Sequence, residues 1–153
     1  MRASYHGWKT FGIAFGLLAG HAVAAPPLEG SAWQLHAIAS MDGASGRAEM
    51  AAPAVFTLQF DADGAAFFRI DCNRGRGTWK AVPSSDPSVG ALEFGPLATT
   101  SMACPPGSLD QRVLRDLVRV KSYRLQEGRL FLSLMADGGV YEWTPMAAAA
   151  GVR

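Results

Sequence analysis

The sequence predicts a mainly β domain, an antiparallel sheet that curls towards a barrel, with one amphipathic helix packed on it. Three observations carry this. Apolar residues recur with a period of two in about seven short runs, short turn-rich connections join nearly all of them, and a single run of helical period comes late in the chain. The chain has 153 residues, 49% hydrophobic and 18% charged, which suits one folded domain and excludes an intrinsically disordered chain. A formal charge of +1 gives no electrostatic footprint for nucleic acid or anionic lipid, and no repeat of solenoid or propeller length is visible.

The first strand spans Ser31 to Ala39, with Trp33, Leu35 and Ala37 on one face and Gln34 and His36 on the other. Met41 to Ala52 is rich in Gly, Ala and Ser without a sustained period, which predicts a loop. Phe56, Leu58 and Phe60 share a face, Asp61-Ala62-Asp63-Gly64 supplies turn chemistry, and Ala65 to Cys72 runs back, so the pair reads as a hairpin. In the return strand Phe68, Ile70 and Cys72 fall on the core side. A short strand from Thr78 to Val82, a Ser- and Pro-rich loop from Pro83 to Gly90 and a strand from Ala91 to Phe94 follow.

Pro105-Pro106-Gly107 then precedes the helix. Ser108-Leu109-Asp110-Gln111 matches the capping box, in which the Ser hydroxyl accepts from a backbone N–H and the Gln reaches back. Leu109, Val113, Leu114, Leu117, Val118 and Val120 continue at helical spacing. Tyr123 and Leu125, then Leu130, Leu132 and Leu134, alternate on either side of Glu127-Gly128, and Asp137-Gly138-Gly139 turns into a last strand from Val140 to Thr144. Pro145 and the alanine tail read as disordered, with the tail at residues 147–153.

The N-terminus has the three parts of a cleavable secretory signal over residues 1–24: Arg2 and Lys9, an apolar or small stretch from Phe11 to Gly20, and Ala22-Val23-Ala24 before Ala25 and Pro26. The apolar run is half of the roughly 20 residues a spanning helix needs, so no stable membrane span is expected after cleavage. Leu18-Ala19-Gly20-His21 is similar to the lipid-attachment box of bacterial lipoproteins, but His21 stands where a thiol would be acylated. The expected product is periplasmic or secreted and not lipidated.

Cleavage removes Arg2, Lys9, His6 and His21, leaving 12 basic residues against 13 acidic ones, a net of minus one. His36 is then the only histidine, placed on a strand with no flanking nucleophile signature. With one histidine, no paired-carboxylate motif, no metal cluster and no phosphate loop, the expectation is a protein that is not an enzyme and takes no metal or cofactor.

Export would send Cys72 and Cys104 to an oxidising compartment, where a disulfide is the default. Free buried thiols and a reactive or metal-binding pair are the alternatives, although one distant pair and one histidine do not close a zinc site. Closing a loop of about 33 residues disfavours the unfolded chain by about 3.7 kcal/mol in the chain-entropy account.

Three phrases then converge: Trp33-Gln34-Leu35, Asp71-Cys72-Asn73-Arg74-Gly75-Arg76-Gly77-Thr78-Trp79, and Thr100-Ser101-Met102-Ala103-Cys104. Together they resemble the META domain family, that of the heat-shock protein HslJ, over residues 28–146. The family pattern reads G-C-N, then a Gly two residues before an aromatic; Cys72, Asn73, Gly77 and Trp79 fit, Asp71 replaces the Gly, and T-x-M-A-C fits in full. The resemblance implies a small lipocalin-like barrel with one helix, an envelope protein linked to stress and antibiotic tolerance, and no established enzymatic activity.

Roles follow for the matched residues. Asn73 is expected to shape the chain reversal after the strand, Gly75 and Gly77 to permit backbone geometry or approach that a Cβ would block, and Met102 to fill the core. Arg74, Arg76, Thr99 and Ser101, with Asn73 and Thr100, could form an anion-binding lip beside the cysteines. The functional expectation is a non-catalytic envelope module whose partner is an unknown envelope protein or a small apolar ligand. A secreted hydrolase inhibitor presenting Asp42 to Arg47 or Ser84 to Gly90 is the related alternative. Phe56, Phe68, Leu132 and Trp143 are the side chains expected to decide whether the barrel interior is filled.

Overall fold

Alternation and turn chemistry together produce a rolled sheet. The computed structural model describes residues 27–40, 46–52 and 55–146; the expected signal at 1–24 and tail at 147–153 lie outside them. Among the described residues the elements are β1 (Ala32–Ala39), β2 (Arg47–Glu49), β3 (Phe56–Phe60), β4 (Ala65–Ile70), β5 (Asn73–Pro83), β6 (Val89–Phe94), β7 (Ala98–Thr99), α1 (Asp110–Leu117), β8 (Val120–Gln126), β9 (Arg129–Leu134) and β10 (Val140–Pro145). All pairings are antiparallel. Eight strands run β1-β3-β4-β5-β6-β8-β9-β10, and β10 pairs back onto β1, so the barrel is closed. β2 and β7 are short additions on β1 and β5.

Closure places one side chain of each alternating pair inside. Trp33, Leu35, Phe56, Leu58, Phe60, Phe68, Ile70, Trp79, Leu92, Phe94, Tyr123, Leu130, Leu132, Tyr141 and Trp143 are buried in one cluster. Phe56, Phe68, Leu132 and Trp143 are each at most 4% exposed, so side chains fill the interior. Each large apolar side chain so buried contributes about 1.5 to 3 kcal/mol relative to exposure. Phe60 meets Trp79 edge-on at 5.0 Å and Phe94 in a stack at 6.0 Å.

Both ends of the barrel are covered. At the Phe60 end, the turn at residues 27–30 buries Leu28 completely, and the Gly30 amide donates to the Phe60 carbonyl. At the Ile70 end, α1 sends Val113 and Leu117 into the core. The crevice between α1 and the barrel, lined by Asp116, Leu117, Val120, Leu132, Leu134, Tyr141 and Trp143, has no room for a water molecule.

The structure differs from the sequence reading at several places. Arg47–Glu49, expected in a loop, is a strand because the distal half of β1 has an edge left free where β3 ends; Ala37 pairs with Glu49 and Ala39 with Arg47. β4 ends at Ile70, and Cys72 lies half-buried in the turn rather than among the core hydrophobes. Asn73 to Gly77, ahead of the strand expected to begin at Thr78, is instead the first half of an eleven-residue strand, Asn73–Pro83, which is held by β4 on one side and by β7 and β6 on the other. β6 begins at Val89 because Pro83 and Gly90 still pair. Pro145 is ordered at the end of β10, opposite Trp33.

The helix is shorter than its apolar pattern. It ends at Leu117, Val118 is exposed, and Val120 opens β8, where pairing with Leu134 takes over. The expected capping box is only half made. Leu109 occupies the cap position; the Ser108 hydroxyl accepts from the Asp110 amide at 3.2 Å, but the Gln111 amide donates to the Asp110 carboxylate at 2.9 Å.

Candidate functional site

The start of the second phrase, Asp71-Cys72-Asn73, and the third, Thr100 to Cys104, meet at the α1 end of the barrel, whereas Trp33 and Trp79 stand towards the Phe60 end, Trp33 opposite Leu58 and Trp79 bonded to the Asp61 carbonyl. Ile70 and Asn73 face each other across the two-residue connection Asp71-Cys72. Asp71 sits at φ 54°, the left-handed region where glycine has no steric cost and aspartate is tolerated. That is the position where the family pattern carries Gly. The Asp71 carboxylate offsets the cost by accepting from the Ser108 hydroxyl at 2.6 Å, which ties the turn to the start of α1. Cys72 and Cys104 form a disulfide with Cα atoms 5.4 Å apart, so neither is a free thiol.

Asn73 does not shape the reversal; it is the first residue of β5 and binds across it. Its side chain is 1% exposed. Its Oδ1 accepts from the Met102 amide at 2.8 Å and the Thr100 hydroxyl at 2.9 Å, and its Nδ2 donates to the Met102 carbonyl at 3.2 Å. The amide side chain thus replaces a strand residue, pairing with both backbone groups of Met102. Nδ2 also lies 3.4 Å from the buried Asp110 carboxylate. Met102, expected in the core, is 61% exposed: its backbone is what the motif fixes, and its thioether is displayed outward.

Gly77 lies in β5 at ordinary strand geometry, and its function is close approach. A Cβ there would meet Leu97 Cδ2 at 2.7 Å and the Pro96 carbonyl at 3.1 Å. Trp33 and Trp79 are buried, each with its indole N–H satisfied, by Ser31 Oγ at 2.7 Å and the Asp61 carbonyl at 3.1 Å.

The anion-lip residues divide. Arg74, Arg76, Thr99 and Thr100 line one shallow open depression. Asn73 is committed to Met102, and the Thr100 hydroxyl to Asn73 and to the Arg74 amide at 3.0 Å. Ser101 is exposed outside the depression. The sequence reading missed Arg69, which stands opposite Arg74 on β4 and lines the neighbouring depression with Thr57, Gln59 and Phe67. Arg76 lies over the ring of its cross-strand partner Phe67 at 5.3 Å. Among the described residues, none of these three guanidiniums is ion-paired with a carboxylate.

Two polar clusters escaped the sequence reading altogether. Glu142, buried on β10, is clamped between Arg47 at 2.6 Å and Arg129. The hydrogen bond from Arg47 outweighs burial and, with Arg129, holds its carboxyl below the usual carboxylate range. Tyr141 donates to Asp116 at 2.6 Å, and burial, then this bond, pushes its hydroxyl far up, so it stays neutral. Arg112 joins this group, bonded to Ser40 at 3.2 Å.

Of the two segments expected to be presented to a hydrolase, Ser84 to Gly90 is internally tied: Asp86 accepts from the Ser88 hydroxyl at 2.7 Å and amide at 2.9 Å, and these bonds lower its carboxyl. In the other, residues 42–45 lie outside the described ones, and Arg47 belongs to the Glu142 clamp. His36 stands half-buried on β1. Among the described residues there is no group of three His, Cys, Asp or Glu placed to hold a metal ion, and no helix is long and apolar enough to cross a membrane.

A closed antiparallel barrel with a helix at one end, a disulfide-tied turn and an asparagine reading the T-x-M-A-C segment define a small barrel module. The META domain pattern matches residues 26–146, and the chain belongs to that family. Among solved structures, a DUF4847 family protein from Bacteroides vulgatus aligns with a TM-score of 0.52 at 15% identity, covering 77% of this chain and 94% of that one; the likeness is one of fold. No curated protein matches the chain.

Proposed function

We infer that this chain is a non-catalytic binding module of the cell envelope, exported by its N-terminal segment, working from its outer surface in stress or antibiotic tolerance. The observation that carries the reading is the filled interior: aromatic and aliphatic side chains occupy the barrel, and Leu28 and α1 cover its ends. A filled interior supports recognition on the outside of the strands and favours a protein partner over a small apolar ligand held in the lumen. The motif residues support the same reading, since Asn73, Gly77 and Trp79 shape and brace a surface and carry no chemistry of their own.

The test is affinity capture from envelope extract with the mature chain as bait, followed by mass determination of the native complex. A one-to-one protein complex is expected. Release of a lipid or metabolite from the purified chain by organic extraction would overturn the reading in favour of a ligand barrel. A residue numbered 1–24 at the N-terminus of the purified envelope form would refute the expected cleavage. Loss of the chain should also sensitise the cell to envelope-directed antibiotics; unchanged sensitivity removes the tolerance role.

A further inference from the structure

β7 has a partner on one side only. Arg76 faces Ala98 and Gly75 faces Thr99, and the Thr100 amide donates to the Arg74 carbonyl at 2.9 Å. In an antiparallel ladder, alternate residues turn their amides to the same neighbour, so Ala98 and Thr100 face β5 while Leu97, Thr99 and Ser101 turn theirs away. Residues 98–103 are all exposed. Among the described residues the barrel therefore carries, besides the outer edge of β2, a short unpaired strand edge at β7, between Gly95 and the disulfide.

Arg74 and Arg76 stand next to this edge on β5 and line one depression with Ala98, Thr99 and Thr100, the Arg76 guanidinium also lying over Phe67, while Arg69 stands one strand further away on β4. Arg74 and Arg76 are two residues apart on one face, about 6.6 Å along the strand, which is the repeat at which an extended peptide presents alternate side chains. A strand added to β7 would lie about 10 Å from β5, a gap that an arginine and a glutamate side chain close together. Ala98, on the same face between them, is too short to obstruct it.

We propose that the β7 edge at Thr99 receives an extended acidic segment of a partner protein as an added strand, with its alternate carboxylates against Arg74 and Arg76. The inference rests on the reading of the chain as a binding module and names its site and partner class. Backbone pairing supplies affinity, and the guanidinium spacing supplies selectivity for acidic side chains. A second copy of this chain is a poor occupant, because edge-to-edge pairing brings its own arginines together. The segments outside the described residues are also poor occupants: they carry Arg2, Lys9 and Arg153 against the single acid Asp42.

The experiment uses the mature chain and a labelled peptide of alternating Glu and Thr, followed by fluorescence anisotropy and by amide exchange at Leu97, Thr99 and Ser101. Saturable binding with new protection at Thr99 and Ser101 is expected, and a Lys-Thr peptide should not bind. Arg74→Glu with Arg76→Glu should weaken binding at least roughly tenfold. Thr99→Pro removes only an outward amide, which edge strands tolerate, and should abolish binding, while Thr99→Ser retains it. Binding that survives Thr99→Pro, or binding without protection at Thr99, would reduce the site to a plain basic patch and overturn strand addition. Binding to phosphatidylglycerol vesicles but not to the peptide would overturn it in favour of lipid. Should the envelope partner captured by the wild type be retained equally by the Arg74, Arg76 and Thr99 variants, this site fails while the module reading stands.

Discussion

Replacing Asn73 by alanine tests the architecture of the motif most directly. The substitution removes three bonds of 2.8, 2.9 and 3.2 Å to Met102 and Thr100. At roughly 0.5 to 1.5 kcal/mol net each, they sum to about 3 kcal/mol. Met102 and Thr100 are exposed, so water replaces part of this, and the expected loss is about 2 to 3 kcal/mol, a fall in Tm on the order of 10 °C. Asn73→Asp should cost at least as much, because it keeps the acceptor but turns an oxygen towards the Met102 carbonyl and the Asp110 carboxylate. Urea unfolding followed by circular dichroism measures both. The disulfide holds the same segment, so a double-mutant cycle with Cys72→Ala and Cys104→Ala should show coupling of about 1 kcal/mol, the Asn73 effect shrinking once the segment is free. An Asn73→Ala protein within about 0.5 kcal/mol of wild type, or full additivity with the bridge removed, would refute the pairing of Asn73 with Met102 as the element that sets this surface.

Other expectations concern single features. Glu142 has its carboxyl lowered by Arg47 and Arg129, so the clamp stabilises fully above the unfolded-state value of about 4.3 and is lost as pH falls through the folded value; Glu142→Gln should flatten the acid limb of a stability-against-pH curve, and an unchanged limb would contradict the clamp. Leu28→Ala empties a fully buried position and should cost about 2 to 5 kcal/mol in denaturant unfolding, whereas a loss near zero would mean the turn at residues 27–30 is dispensable. Asp71→Gly relieves positive φ but loses the Ser108 bond, so it should lie within about 1 kcal/mol of wild type, while Asp71→Ala loses the bond and keeps the strain, costing about 2 kcal/mol by thermal unfolding; equal losses would show that the left-handed turn carries no cost.

The barrel and its core were legible in the sequence because burial alternates wherever one face meets the interior, as at Phe56, Leu58 and Phe60. Strands without that signal were not. Arg47–Glu49 has no apolar period and exists because β1 offers an edge and Glu142 a charge. Asn73 to Gly77 has no apolar alternation to mark it as a strand, and the strand was expected only from Thr78, yet two neighbouring strands impose extension on it. The helix was overextended because Val118 and Val120 continue its pattern by coincidence, one exposed and the other in β8. The disulfide followed from cysteine count and presumed compartment. The role of Met102 did not, since a methionine looks the same in sequence whether its side chain or its backbone is what a neighbour grips. The Arg74 and Arg76 pair was visible as a motif, but Arg69 joins it only through cross-strand register.

The pairing of Trp33 with Pro145 and of Ala39 with Val140 makes the last strand the keystone of the first. No hairpin among the earlier strands can bury its inner face until this seam zips, and the seam joins residues more than a hundred positions apart. Such long-range closure slows folding and leaves a nascent chain pliable. If the chain is threaded unfolded through a narrow conduit, as the export proposed above requires, that delay serves it.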